Sequence, residues 1–179
     1  MKRILGKTLF GMVLTLLFLL PFFGWISAEP VPHRDPDGFF TIIPPDGWKT
    51  DDSGYMGQGV IMKGPAGKAG MEPVVLLIHE PSGIVTLEVQ WHTKLGQIRY
   101  ELDRVKFLGL EDHEDLDPPF SQAKYSYMEG EKTFLSMIRL YKHRDRFYFL
   151  TASSPEEEFE GFSALFLSVF NSFTPGEGN

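Results

Sequence analysis

The sequence predicts an α+β domain, with helices packed on the faces of a central antiparallel sheet of about six to seven strands. Three observations carry this. Short aromatic and β-branched runs recur along the chain, punctuated by Gly, Pro and Asp turns. Two longer stretches, residues 86–104 and 156–173, switch to a helical period. Two pairs of later runs are joined by the short turns Glu129-Gly130-Glu131 and His143-Arg144-Asp145, and strands joined so tightly pair antiparallel.

Residues 1–28 precede this pattern. Lys2, Arg3 and Lys7 are followed by an uncharged stretch whose densest apolar run is residues 9–20, broken by Pro21 and closing on Ile26-Ser27-Ala28. A basic start, an apolar middle and a small residue at the end read as a secretory signal. Residues 8–28 are also long enough to cross a bilayer, so an uncleaved anchor is the rival reading. Both place the rest of the chain outside the cytoplasm, whether periplasmic, secreted or membrane-tethered. No Cys follows the apolar run, which excludes a lipoprotein anchor, and the whole chain has none. Disulfide frameworks, Cys-ligated zinc and thiol catalysis are therefore excluded.

Charge narrows the partners. Of the 17 basic residues three lie in the leader, leaving 14 against 24 acidic ones, a net of −10 for residues 29–179. Such a surface repels nucleic-acid phosphates and anionic lipid. Contact with a membrane is expected only through residues 8–28, if they stay attached.

Residues 29–37, with three prolines, read as an extended tether, and residues 38–175 as one domain with 176–179 as a tail. Residues 39–43 form a compact strand-like run. It ends at Pro44-Pro45-Asp46-Gly47-Trp48, where Pro45 presets φ, Gly47 takes the positive-φ position and Trp48 folds back over the core. Residues 51–58 read as a loop and 60–62 as a strand. Residues 64–70, with three glycines, read as a flexible connection. Residues 74–79 are the most apolar run and predict a central strand.

Leu87, Trp91, Leu95, Ile98 and Leu102 recur at helical spacing, with Thr86 as N-cap. Gly96 costs this helix about 1 kcal/mol relative to Ala, and close approach to the sheet would explain it. Residues 105–110, 120–128, 132–141 and 146–152 are strands. In the second of these, Ala123, Tyr125 and Tyr127 alternate with Gln122, Lys124 and Ser126, one face dry and one wetter. Ser154-Pro155-Glu156-Glu157 predicts a helix start, with Ser154 as N-cap and Glu157 closing a capping box. Phe159, Phe162, Leu165, Phe166, Val169, Phe170 and Phe173 then form a wide apolar stripe, ended by Pro175 and Gly176.

The strand and turn FFTIIPPDGW, the mid-chain amphipathic helix and the ending RFYFLTASSPEEEFEGFSALFLSVFNSF together resemble the PsbP-like family over roughly residues 38–174. That resemblance implies an α/β/α sandwich without known catalytic residues. The family is named after an extrinsic photosystem II subunit and shares its fold with a Ran-binding nucleotide-release factor and with exported bacterial proteins of unknown role. None of the cation ligands of its photosynthetic members is carried over onto this chain.

Few residues stand out as sites. Glu111, Asp112, Glu114, Asp115 and Asp117, with His113 among them, form the one concentrated acidic run. It offers oxygen ligands for Ca or Mn, or a contact for a partner, or a plainly solvated loop. It lacks the spacing of a calcium-binding helix–loop–helix. Lys142 and Arg144 sit in a basic turn that suits an acidic partner or a solvated hairpin tip. The Gly-Lys pair in residues 64–70 has the wrong spacing for a phosphate loop, and Ala69 stands where a magnesium-ligating hydroxyl belongs. The five histidines, His33, His79, His92, His113 and His143, form no local metal pair. His79, ending the apolar strand, is the best single candidate, and His92 is expected to face solvent. No nucleophile elbow, zinc-protease motif or dinucleotide fingerprint is present. The reading that follows is an exported, non-catalytic binding or assembly module, with an unknown protein partner in the cell envelope and no cofactor. Its alternatives are a divalent-cation-responsive protein using residues 111–117, and a small enzyme with no recognisable motif.

Overall fold

A computed structural model of the chain describes residues 31–53 and 58–178. Residues 1–28, read above as signal or anchor, lie outside the described residues. Among the described residues ten strands and two helices follow in the order β1 (His33–Arg34), β2 (Phe40–Ile42), β3 (Lys49–Asp51), β4 (Gly59–Lys63), β5 (Val74–Pro81), α1 (Leu87–Glu101), β6 (Asp103–His113), β7 (Phe120–Glu129), β8 (Lys132–His143), β9 (Arg146–Pro155), α2 (Glu156–Asn171) and β10 (Thr174–Pro175). Seven strands build one antiparallel sheet in the order β3-β4-β5-β9-β8-β7-β6. A small second sheet, β1-β2-β10, lies beside it.

The two faces of the large sheet bury different cores. Val75 and Leu77 of β5, with Tyr148, Leu150 and Ala152 of β9, meet Phe159, Phe166, Val169 and Phe170 of α2. The residues between them point the other way, as the two-residue strand period requires. On that face Phe147, Phe149, Ile138 and Leu140 meet Trp91, Leu95 and Ile98 of α1. The chain is thus an α/β/α sandwich, and the apolar periods of both helices fall on their buried sides. Thr86 caps α1, its Oγ1 accepting from Val89 N at 3.3 Å.

The PPDGW turn folds as its residues dictate. Gly47 has φ +75°, Trp48 N donates to Pro45 O, and the indole stands edge-on to Phe162 and Phe166.

Several local expectations need correction. The run at 39–43 enters the small sheet rather than the large one, because β1 and β10 flank β2 on both sides. Residues 49–51, all exposed and without an apolar residue, are a strand only because β4 pairs with them. Ser154 is no helix cap. It is fully buried in β9, whose pairing with β8 runs on through Pro155 opposite Phe134, so α2 starts at Glu156 without a side-chain cap. Gly96 faces open space, so no close approach to the sheet explains it.

The glycine-rich connection at 64–70 is pinned. Ala69 N donates to Glu158 Oε1 at 2.8 Å, Lys132 Nζ donates to Ala69 O, and Gly64 N donates to Pro73 O. Residues 33–34, within the stretch read as a tether, pair with β2. In the stretch read as a tail, Gly176 and Gly178 donate to Phe39 O and Gly38 O.

Candidate binding groove

The two helices are offset on the sheet, and the offset makes the site. α1 packs over β6, β7 and β8. On its face of the sheet this leaves Leu76 and Ile78 of β5 and Thr151 of β9 only half-buried. These residues and Phe149 floor a groove of about 350 Å³. Gln90, Lys94, Gln97 and Glu101 wall it from α1, and Glu80 and Gln58 close it. The α1 residues recur at spacings of four, three and four, so one polar stripe of the helix beside its apolar stripe supplies the whole wall.

Two contacts hold the wall in place. Gln90 Nε2 donates to Glu80 Oε1 at 2.8 Å, and Lys94 Nζ stands 5.3 Å above the Phe149 ring. An apolar floor with amides, carboxylates and one ammonium at its rim suits a ligand with an apolar body and polar edges. Among the described residues its lining holds no histidine and no serine, and so offers neither an imidazole base nor a serine nucleophile there.

His79 lies on the opposite face of β5 and is 4% exposed. Arg146 Nη1 is 2.8 Å from its Nδ1. A guanidinium can only donate, so Nδ1 accepts and the ring proton sits on Nε2. Nε2 faces Asp35 Oδ1 at 3.9 Å. Burial and then the Arg146 charge hold the imidazole below its ordinary pKa, against the opposing pull of Asp35 and Asp37. Asp35 Oδ2 accepts from the backbone N–H of Asp37 and Phe39, and Arg146 lies 3.4 Å over the Phe39 ring. The neighbouring hydroxyl, Tyr148, donates to Phe39 O. This Asp–His–Arg cluster therefore joins residues 35–40 to the large sheet.

Arg139, mid-strand in β8, went unremarked in the sequence. It is almost wholly buried, and no carboxylate faces it among the described residues. It donates to Gln122 Oε1 at 2.6 Å, Asn171 Oδ1 at 2.9 Å and Tyr141 OH at 3.3 Å, between the rings of Phe120 and Phe170. Its position among apolar neighbours in a strand was the available signal.

The acidic residues do not converge. Glu111, Asp112 and His113 belong to β6, where successive residues face opposite sides. Glu111 Oε2 lies 3.4 Å from both His113 Nε2 and Gln122 Nε2. Glu114, Asp115 and Asp117 follow in the exposed turn. Among the described residues no three acidic or imidazole groups gather as a metal shell requires. In the basic turn Lys142 Nζ donates to Val85 O at 2.7 Å, and Arg144 pairs with Glu177. His92 is exposed. Among the described residues no helix is long and apolar enough to cross a membrane.

The fold these elements define is the PsbP-like α/β/α sandwich. Among solved structures the chain is similar to the cyanobacterial PsbP, CyanoP, of Synechocystis, at 14% identity and a TM-score of 0.60, over 87% of this chain and 98% of that one. It is also similar to LpqN of Mycobacterium tuberculosis, a protein involved in cell envelope biogenesis. There the identity is 16% and the TM-score 0.62, over 83% of this chain and 91% of that one. PA94 of Pseudomonas aeruginosa, a protein of unknown function, aligns at 12% identity and a TM-score of 0.59, over 83% and 98%. No family model matches the sequence, and no curated protein does.

Proposed function

We propose that this chain is an exported, non-catalytic binding module whose working surface is the groove between α1 and the open strip of β5 and β9. The groove carries the reading. It leaves an apolar floor half-uncovered beside an ordered polar wall. Exposed apolar surface rimmed by polar groups is where soluble proteins place recognition. Export is supported by the composition of residues 1–28 and by the likeness to LpqN, which is involved in cell envelope biogenesis. The polar rim and the net acidity of the mature chain fit a protein partner with cationic or amide groups flanking an apolar segment.

The test compares capture of partners from envelope extracts by tagged residues 29–179 and by two variants. Gln97→Lys alters the groove wall. Gly161→Lys alters an exposed position of α2, on the other face of the sheet. The reading predicts a discrete partner retained by Gly161→Lys and lost from Gln97→Lys at unchanged melting temperature. Equal capture by both removes the groove from the function.

A further inference from the structure

Among the described residues β6 ends the large sheet on the side away from β3, and β7 is its one neighbour. The strand is eleven residues long, no residue in it is buried, and Leu108 and Leu110 are about half exposed. Natural proteins keep exposed edge strands short, charged or covered, because the unpaired N–H and C=O groups template another strand. This edge is long, and its charges are distributed in a particular way. Arg104, paired with Asp103, and Lys106 lie in its first half, and Glu111 and Asp112 in its second.

The bulge in the middle of β6 gives that distribution a consequence. Phe107 pairs with Tyr125 and Gly109 with Lys124, so Leu108 is the inserted residue. In a regular strand Phe107 and Leu110 would face opposite sides. Here Leu110 pairs with Ala123, which shares a face with Tyr125, so Phe107 and Leu110 share a face. Lys106, opposite Ser126, and Glu111, opposite Gln122, share the other face. Set two copies of β6 antiparallel about a two-fold axis between Leu108 and Gly109. Lys106 then meets Glu111 of the second copy, and Phe107 meets its Leu110, each contact occurring twice and each on one face. Such an isologous contact closes on itself. Without the inserted residue neither pair would match.

We infer that β6 is a self-recognition edge, through which two copies of this chain join their seven-stranded sheets antiparallel, with Lys106–Glu111 pairs setting the register. Among the described residues Lys106 has no ion-pair partner, and the exposed Glu111 carboxylate contacts His113 and Gln122, each at 3.4 Å. Both charges are therefore available. The groove lies over β5 and β9, away from this edge, and stays open in the pair.

Sedimentation velocity on residues 29–179, which contain every described element of both cores, tests this across a concentration series. The wild type dimerises. Lys106→Glu sets Glu against Glu twice, and Glu111→Lys sets Lys against Lys twice. Each alone weakens association about tenfold or more, since opposed like charges across strands repel. Mixing the two variants restores the match at both positions, and a heterodimer forms at near wild-type affinity. Circular dichroism melting confirms that each variant is folded. A wild type that stays monomeric throughout overturns the inference and leaves the bulge and charges as edge protection. A dimer indifferent to either swap, or swapped variants that fail to rescue each other, overturns it equally.

Discussion

Arg139 and His79 show how polar residues are made tolerable inside this protein. Arg139 has no counter-ion among the described residues and is held by three neutral acceptors and two aromatic faces. Removing it takes the donor from half-buried Gln122 and buried Tyr141 and empties the space between two rings, so Arg139→Ala should cost about 2–4 kcal/mol in urea unfolding. An unchanged unfolding midpoint would show those bonds to be dispensable. His79 is neutral when folded, with its pKa below the ordinary 6.5. The unfolded chain therefore binds the extra proton first as pH falls. Stability contributed by neutral His79 is complete above pH 6.5 and is lost as pH drops toward the lowered folded value. Melting temperature followed from pH 7.5 to 5, as a rough span about that value, should fall for the wild type. His79→Gln should flatten that part of the decline, and parallel profiles would contradict the assignment. The sequence singles out His79, but its partners Asp35 and Arg146 come from strand pairing far along the chain, which no local spacing reveals.

At the scale of elements, both helices were legible because apolar residues at helical period demand one buried face. Phe159 to Phe170 coil against β8 and β9 as their pattern requires, and Phe173 packs on the same core just past the helix end at Asn171. Phe166, fully buried among Trp48, Phe159 and Phe162, is the centre of that contact. Phe166→Ala should destabilise by about 3–5 kcal/mol through the lost burial and the cavity left behind. What the sequence misjudged is where tertiary pairing overrides local preference. Ser154 has a cap's chemistry but is held in β9 by its pairing with Leu135. Lys49–Asp51 has no strand signal and becomes one through β4. Gly96 is a helix weakness without compensation, so Gly96→Ala should raise stability by about 1 kcal/mol. A lower melting temperature for that variant would mean that Gly96 meets a neighbour. Gly64 behaves oppositely, because a Cβ there would stand 2.7 Å from the Trp48 indole. Gly64→Ala should therefore destabilise.

Across the whole molecule, the α/β/α order follows from two apolar helices and strands that alternate on both faces. The groove was not legible, because it exists only through the offset of α1 from α2 across the sheet. The acidic run drew attention in the sequence through composition alone. In the fold its first three residues divide between the two faces of an edge strand and the rest sit on an open turn. β5 lies between a closed face under α2 and an open strip beside α1. A chain without cysteine allows that to be measured directly. Ile78→Cys places a thiol on the strip, and Leu77→Cys places one on the next residue, under α2. Maleimide labelling of the folded protein should modify Ile78→Cys readily and Leu77→Cys at least about a hundredfold more slowly, at a rate set by unfolding. Equal rates at the two neighbours, whether both fast or both protected, would contradict the claim.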